Sequence, residues 1–128
     1  KGNYLKLSGL ARKCPVFPDF GNSRSMLYID NLCEFVRLMI ENREKGVFHP
    51  QNKEYVNTGD MVKYIAAVHG RRIRMTTALN PVIRLLISRN NTFSKVFGTL
   101  VYEKSMSEYE ADYRCVADLK RSIELTEA

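Results

Sequence analysis

The chain has 128 residues, 45% hydrophobic and 27% charged, which suits one globular domain and excludes a disordered tail. Its net charge of +6 admits nucleic acid, a membrane surface or a phosphorylated ligand as partner, but the densest basic run, Arg71-Arg72-Ile73-Arg74, is far short of a basic block. No apolar run nears the roughly 20 residues of a membrane span, and three widely spaced cysteines, Cys14, Cys33 and Cys115, suggest neither a disulfide framework nor a zinc site.

In chain order, Asn3 to Lys13 reads as a helix with Tyr4, Leu7, Leu10 and Ala11 on one face. Pro15 and Pro18 bracket a short strand at Val16-Phe17, since proline has no N–H to give a ladder. Asp19 to Ser23 is turn chemistry, and Met26 to Ile29 reads as a second strand. Asp30 stands where an N-cap belongs, ahead of a helix to Glu44 on Leu32, Phe35, Val36, Met39 and Ile40, with Gly46 as its stop. Val47-Phe48-His49 then reads as a strand. Thr58 caps a helix on Met61, Tyr64, Ile65 and Val68 that stops at Gly70, where His69 suits a C-terminal dipole or capping role. A strand over Ile73 to Thr76 follows. Asn80 with Pro81 at the first position opens a helix to Ser88 on Val82, Ile83, Leu85 and Leu86. Thr92 to Phe97 has room for one or two helical turns, Leu100 to Tyr102 reads as a strand, and Val116 to Thr126 as a final helix. The expected fold class is α/β in the mixed sense: a single lobe over residues 1–128 with about five helices and short strands. Those strands are too scattered for a self-sufficient sheet.

The motifs of several chemistries are missing. There is no Gly-x-Gly-x-x-Gly, no P-loop, no Gly-x-Ser-x-Gly and no His-Glu-x-x-His. Arg24 remains, one charge between a glycine turn and an apolar stretch. It suits a two-pronged contact with a phosphate, or an internal ion pair with Asp19 or Asp30.

Pro15-Val16-Phe17, Gly21-Asn22, Arg24 and Tyr28-Ile29-Asp30-Asn31-Leu32, in this order and spacing, resemble the C-terminal part of the extended short-chain dehydrogenase/reductases. These are the NAD-dependent nucleotide-sugar epimerases and dehydratases, with UDP-glucose 4-epimerase-like proteins as the nearest subgroup. Gly46-Val47-Phe48, Thr58-Gly59-Asp60-Met61 and Val68-His69-Gly70-Arg71 carry the resemblance to about residue 75. It implies a substrate-binding lobe of a Rossmann-type parent, with residues 30–50 completing the sheet of the cofactor half. It implies that Arg24 contacts a diphosphate, that Val16 and Phe17 line the base largely through backbone groups, and that Asn3 touches the diphosphate or base. Lys95 or Tyr102 would stand in for a later arginine contact, where this sequence has Val96 and Thr99.

The resemblance further implies NAD as the parent's cofactor. The parent would oxidise a sugar hydroxyl by hydride transfer and return the hydride after rotation or elimination. The Gly-rich loop and Tyr-x-x-x-Lys of that chemistry are not in these 128 residues; Tyr113, for example, is followed at the fourth place by Ala117. This chain alone is therefore expected to be inactive, and, since it begins at Lys1, to be part of a longer one. The expected partner is a nucleotide sugar, a UDP-hexose, in the cytoplasm, with a homodimer allowed and neither membrane nor nucleic acid. Two alternatives stay open: a non-enzymatic basic module that binds RNA or an acidic protein through Arg71, Arg72 and Arg74, and a parent that reduces or dehydrates rather than epimerises.

Overall fold

A computed structural model describes residues 3–128; Lys1 and Gly2 lie outside the described residues. The fold is mixed and helix-rich, with six α-helices and one two-stranded parallel sheet among the described residues. In order these are α1 (Asn3–Lys13), β1 (Val16–Pro18), α2 (Ile29–Glu41), α3 (Thr58–Val68), β2 (Arg74–Thr76), α4 (Asn80–Arg89), α5 (Asn91–Phe97) and α6 (Leu119–Glu127), with a 3₁₀ turn at Lys104–Ser107.

Helix α3 is the centre of the core. Met61, Val62, Ile65 and Ala66 are buried, and α1 and α6 pack on it. The expected stripe of Met61, Tyr64, Ile65 and Val68 is therefore rotated: Tyr64 and Val68 face outward. Two pairs of adjacent apolar residues, rather than a single row, meet the two flanking helices. Ala11 of α1 and Ala66 of α3 are both fully buried in the shared core. On α1 the inward positions are Leu7, Ser8 and Ala11, and Leu10 lies outside.

Asn57, not Thr58, caps α3, accepting from the backbone N–H groups of Gly59 (2.7 Å) and Asp60 (3.3 Å). The stop at Gly70 is as expected, with φ +66° in the left-handed region. Gly70→Ala should lower stability by about 1 kcal/mol, measured by denaturant titration, because a Cβ there is strained although nothing crowds it.

Strand β1 pairs with β2 in parallel, Val16 with Arg74, Phe17 with Met75 and Pro18 with Thr76. Such a pair needs a long crossover, here residues 19–73 carrying α2 and α3. The other expected strands do not form. Met26 to Tyr28 is unladdered, because side-chain Oδ1 of Asn52 takes the Tyr28 N–H (3.0 Å), and Ile29 already opens α2. Val47-Phe48-His49 has one backbone bond, His49 N–H to Met106 O (3.0 Å). Leu100-Val101-Tyr102 is reduced to a single bridge at Leu100. Helix α2 is capped at Tyr28 rather than Asp30 and ends at Glu41, where Arg43 turns left-handed (φ 51°) before Gly46 is reached. Only Asn31 and Phe35 of α2 are buried; Val36 and Ile40 of the expected stripe are exposed.

Candidate functional site

Three stretches of backbone cross at Arg24. Its N–H donates to Val56 O (3.0 Å) and its carbonyl accepts from Val56 N (2.9 Å). On the other side, Ser25 N–H donates to Leu100 O (2.9 Å) and Leu100 N–H to Ser23 O (3.0 Å). The backbone of Arg24 is thus clamped from two sides whatever its side chain does. Its guanidinium Nη1 donates to Gly98 O at the C-terminal end of α5 (2.8 Å). Neither Asp19 nor Asp30 pairs with it, so the internal ion pair allowed by the sequence does not form.

Below Arg24 lies a cleft of about 240 Å³, whose lining includes Asn3, Arg24, Lys95, Tyr4, Met26 and Met61. Asn3 Nδ2 donates to Lys95 O (3.2 Å), joining α1 to α5 at the rim. Three of the six expected site residues, Asn3, Arg24 and Lys95, therefore meet in one place although they are far apart in sequence. Two of them are cations, and no carboxylate lines the cleft. A second cavity of about 250 Å³ shares Tyr4, Met26 and Met61 with the first and continues past Tyr28, Asn52 and Leu119. Its walls carry no charged side chain. The first suits an anion, and the second an uncharged body.

The other three expected residues lie elsewhere. Phe17 is 4% exposed and stacks on Phe97 with ring centroids 5.8 Å apart, so it belongs to the core. Val16 points outward from β1 and lines neither cavity. Tyr102 is held by its backbone, N–H to Ser25 Oγ (2.9 Å) and carbonyl to Tyr55 Oη (2.9 Å), while its ring meets the His49 ring edge-on. It lines neither cavity.

Gly98, whose carbonyl holds the Arg24 guanidinium, was not singled out from sequence. Gly98 follows α5 directly, and a Cβ there would come within 2.4 Å of Ser94 O, a backbone atom that cannot swing away. Gly98→Ala should therefore displace the carbonyl that holds Arg24. Anion binding at the cleft is expected to weaken about threefold or more without any change of charge, read by isothermal titration.

A buried polar cluster closes the far end of the helical core. Glu127 of α6, with its side chain 7% exposed, accepts from Ser8 Oγ of α1 (3.0 Å) and contacts His69 Nε2 at the end of α3 (2.7 Å). Burial alone would raise its pKa, but His69, Tyr4 and Ser8 outweigh this and hold it below the ordinary carboxylate value. Burial and the same carboxylate push the Tyr4 phenol well up. A carboxylate whose folded-state pKa is lowered stabilises fully above its unfolded pKa, and the gain is lost as pH falls through the folded value. The melting temperature should thus fall as pH drops below the ordinary carboxylate range of about 4.3, and Glu127→Gln should flatten that fall. His69 is a capping residue as expected, with Glu127 as an added partner.

No family model, curated protein or solved structure matches this chain.

Proposed function

We propose that the chain is the nucleotide-sugar-binding lobe of an NAD-dependent epimerase or dehydratase, taking a UDP-hexose. The observation that carries this is the meeting of Asn3, Arg24 and Lys95 in one cleft beside an uncharged cavity that shares Tyr4, Met26 and Met61 with it. A nucleotide sugar has the matching form: a diphosphate between two uncharged ring systems. Arg24 and Lys95 neutralise the diphosphate, and Asn3 supplies an amide at the rim. Arg24 keeps donors beyond Nη1, so it can serve Gly98 and a phosphate together. The apolar residues that α2 leaves outward, Ile29, Val36 and Ile40, suit a lobe that packs against a cofactor half.

NAD does not fit the described residues. Their one sheet has two strands, and β1 leads into an extended segment rather than a glycine-rich turn opening a helix. No catalytic step is therefore assigned to this chain, and its contribution is binding and orientation.

Isothermal titration with UDP-glucose, UDP and inorganic phosphate tests the binding role. UDP-glucose and UDP should bind, more tightly than phosphate, and lose affinity in Arg24→Ala. The coding sequence upstream of Lys1 tests the class. A Gly-rich cofactor loop and a Tyr-x-x-x-Lys are expected there, and a complete upstream sequence without them would defeat the assignment.

A further inference from the structure

The charge of this chain is less evenly spread than the whole-chain count suggests. Residues 61–102 carry seven lysines and arginines, from Lys63 to Lys95, and no aspartate or glutamate. The rest of the chain is close to neutral. All seven cations are exposed. Lys63 pairs with Asp60, and the other six make no ion pair among the described residues. The stretch thus carries six exposed cations that no ion pair compensates.

In the middle of this stretch, helix α4 faces outward with its apolar residues. Ile83 is buried against the core, whereas Leu79, Val82 and Leu85 are 44%, 54% and 53% exposed, and Pro81 is exposed beside them. At 3.6 residues per turn, Pro81, Val82 and Leu85 share the solvent side opposite Ile83. Arg84 borders that patch on one side, and Arg89 lies one turn beyond Leu85. Long arginine stems can lie along an apolar surface while their heads reach outward to charge. Asn90 then breaks the helix.

We propose that the outer face of α4 docks on an anionic lipid surface. Apolar residues at the centre of a short helix and arginines at its margins match the two layers of a membrane interface, acyl carbons beneath phosphate headgroups. An acidic protein or RNA would engage the cations but would give Val82 and Leu85 no comparable apolar phase. A second copy of the chain would set like charge against like. No described helix is long and apolar enough to cross a membrane, so the contact is peripheral. The sequence expectation of no membrane partner rested on the lack of an apolar run, which does not bear on a helix lying in the interface. The inference does not depend on the nucleotide-sugar assignment, because Val82 and Leu85 line neither cavity of the cleft.

Co-sedimentation of the chain with phosphatidylglycerol and phosphatidylcholine vesicles tests it. Binding is expected to the first and not the second, and to weaken with added salt. Val82→Ser with Leu85→Ser should lower the partition coefficient about tenfold, and Arg84→Gln with Arg89→Gln should do likewise. Should the serine pair lower the melting temperature, the alanine pair at the same positions, which favours helix, gives the same readout. Equal binding to both vesicle types, or none, overturns the proposal. Phosphatidylglycerol binding that ignores the Val82 and Leu85 changes reduces the face to a general cationic surface, open to RNA or acidic proteins, and overturns it too. So does concentration-dependent self-association in sedimentation velocity that the serine pair abolishes.

Discussion

Arg24→Ala is expected to raise the dissociation constant for a UDP-hexose by about tenfold or more while leaving the melting temperature nearly unchanged. A hydrogen bond from a charged donor contributes about 1.5–3 kcal/mol, and 1.4 kcal/mol is tenfold in affinity. The fold should survive because the Arg24 backbone, not its side chain, makes the crossing with Val56 and Leu100. The one internal bond lost is to the carbonyl of Gly98, a half-buried residue at the end of α5. Arg24→Lys is the sharper comparison. It keeps the charge but not the planar fork, so an intermediate loss points to two-pronged phosphate contact, and full retention points to charge alone. An unchanged constant in Arg24→Ala would remove the basis for the nucleotide-sugar reading.

Local signals made the helices legible and left the polar joints hidden. Helix α1 is bounded as expected, and α3 and α4 each begin at the residue expected to cap them, one place early, because caps and stops act within one turn. Which side of α3 is buried was not legible, since Met61, Val62, Ile65 and Ala66 answer to two neighbouring helices that the local period cannot see. The missing strands have one cause. Val47, Met26 and Leu100 lie in stretches with strand composition, but a strand needs a partner in register. Around Met26 and Leu100, side chains of Asn52, Ser25 and Gln51 take up part of the backbone bonding that a ladder would supply, and in the Val47 stretch the His49 N–H goes to Met106 O. The cleft was legible in part for a similar reason. Arg24 and Lys95 stand out as charges, whereas Gly98 matters only because of its distance to Ser94 O.

The largest expected loss of stability is at Asn31, which α2 buries completely (0% exposed). Its Nδ2 donates to Val116 O (2.9 Å) and to Asn52 Oδ1 (3.0 Å), while its Oδ1 accepts from Val116 N (3.0 Å). One amide thus pairs both polar groups of Val116 and fixes the side chain that satisfies the Tyr28 N–H at the start of α2. Asn31→Ala should destabilise by about 3 kcal/mol, since a buried donor or acceptor left unmade costs about 1–3 kcal/mol. That is a large share of the roughly 5–15 kcal/mol that holds a domain together. Asn31→Leu, which keeps the branched heavy-atom shape of asparagine though it is bulkier, separates the two contributions. If the hydrogen bonds dominate, leucine costs as much as alanine; if the cavity dominates, leucine restores most of the loss. Because Asn31 anchors the first turn of α2 to residues just ahead of α6, its loss should also free both ends. Hydrogen exchange should then rise at Tyr28, Leu32 and Val116 before it rises in α3, where Ile65 and Ala66 keep their packing. Uniform exchange across α2 and α3 would instead mean that the two helices open as one unit.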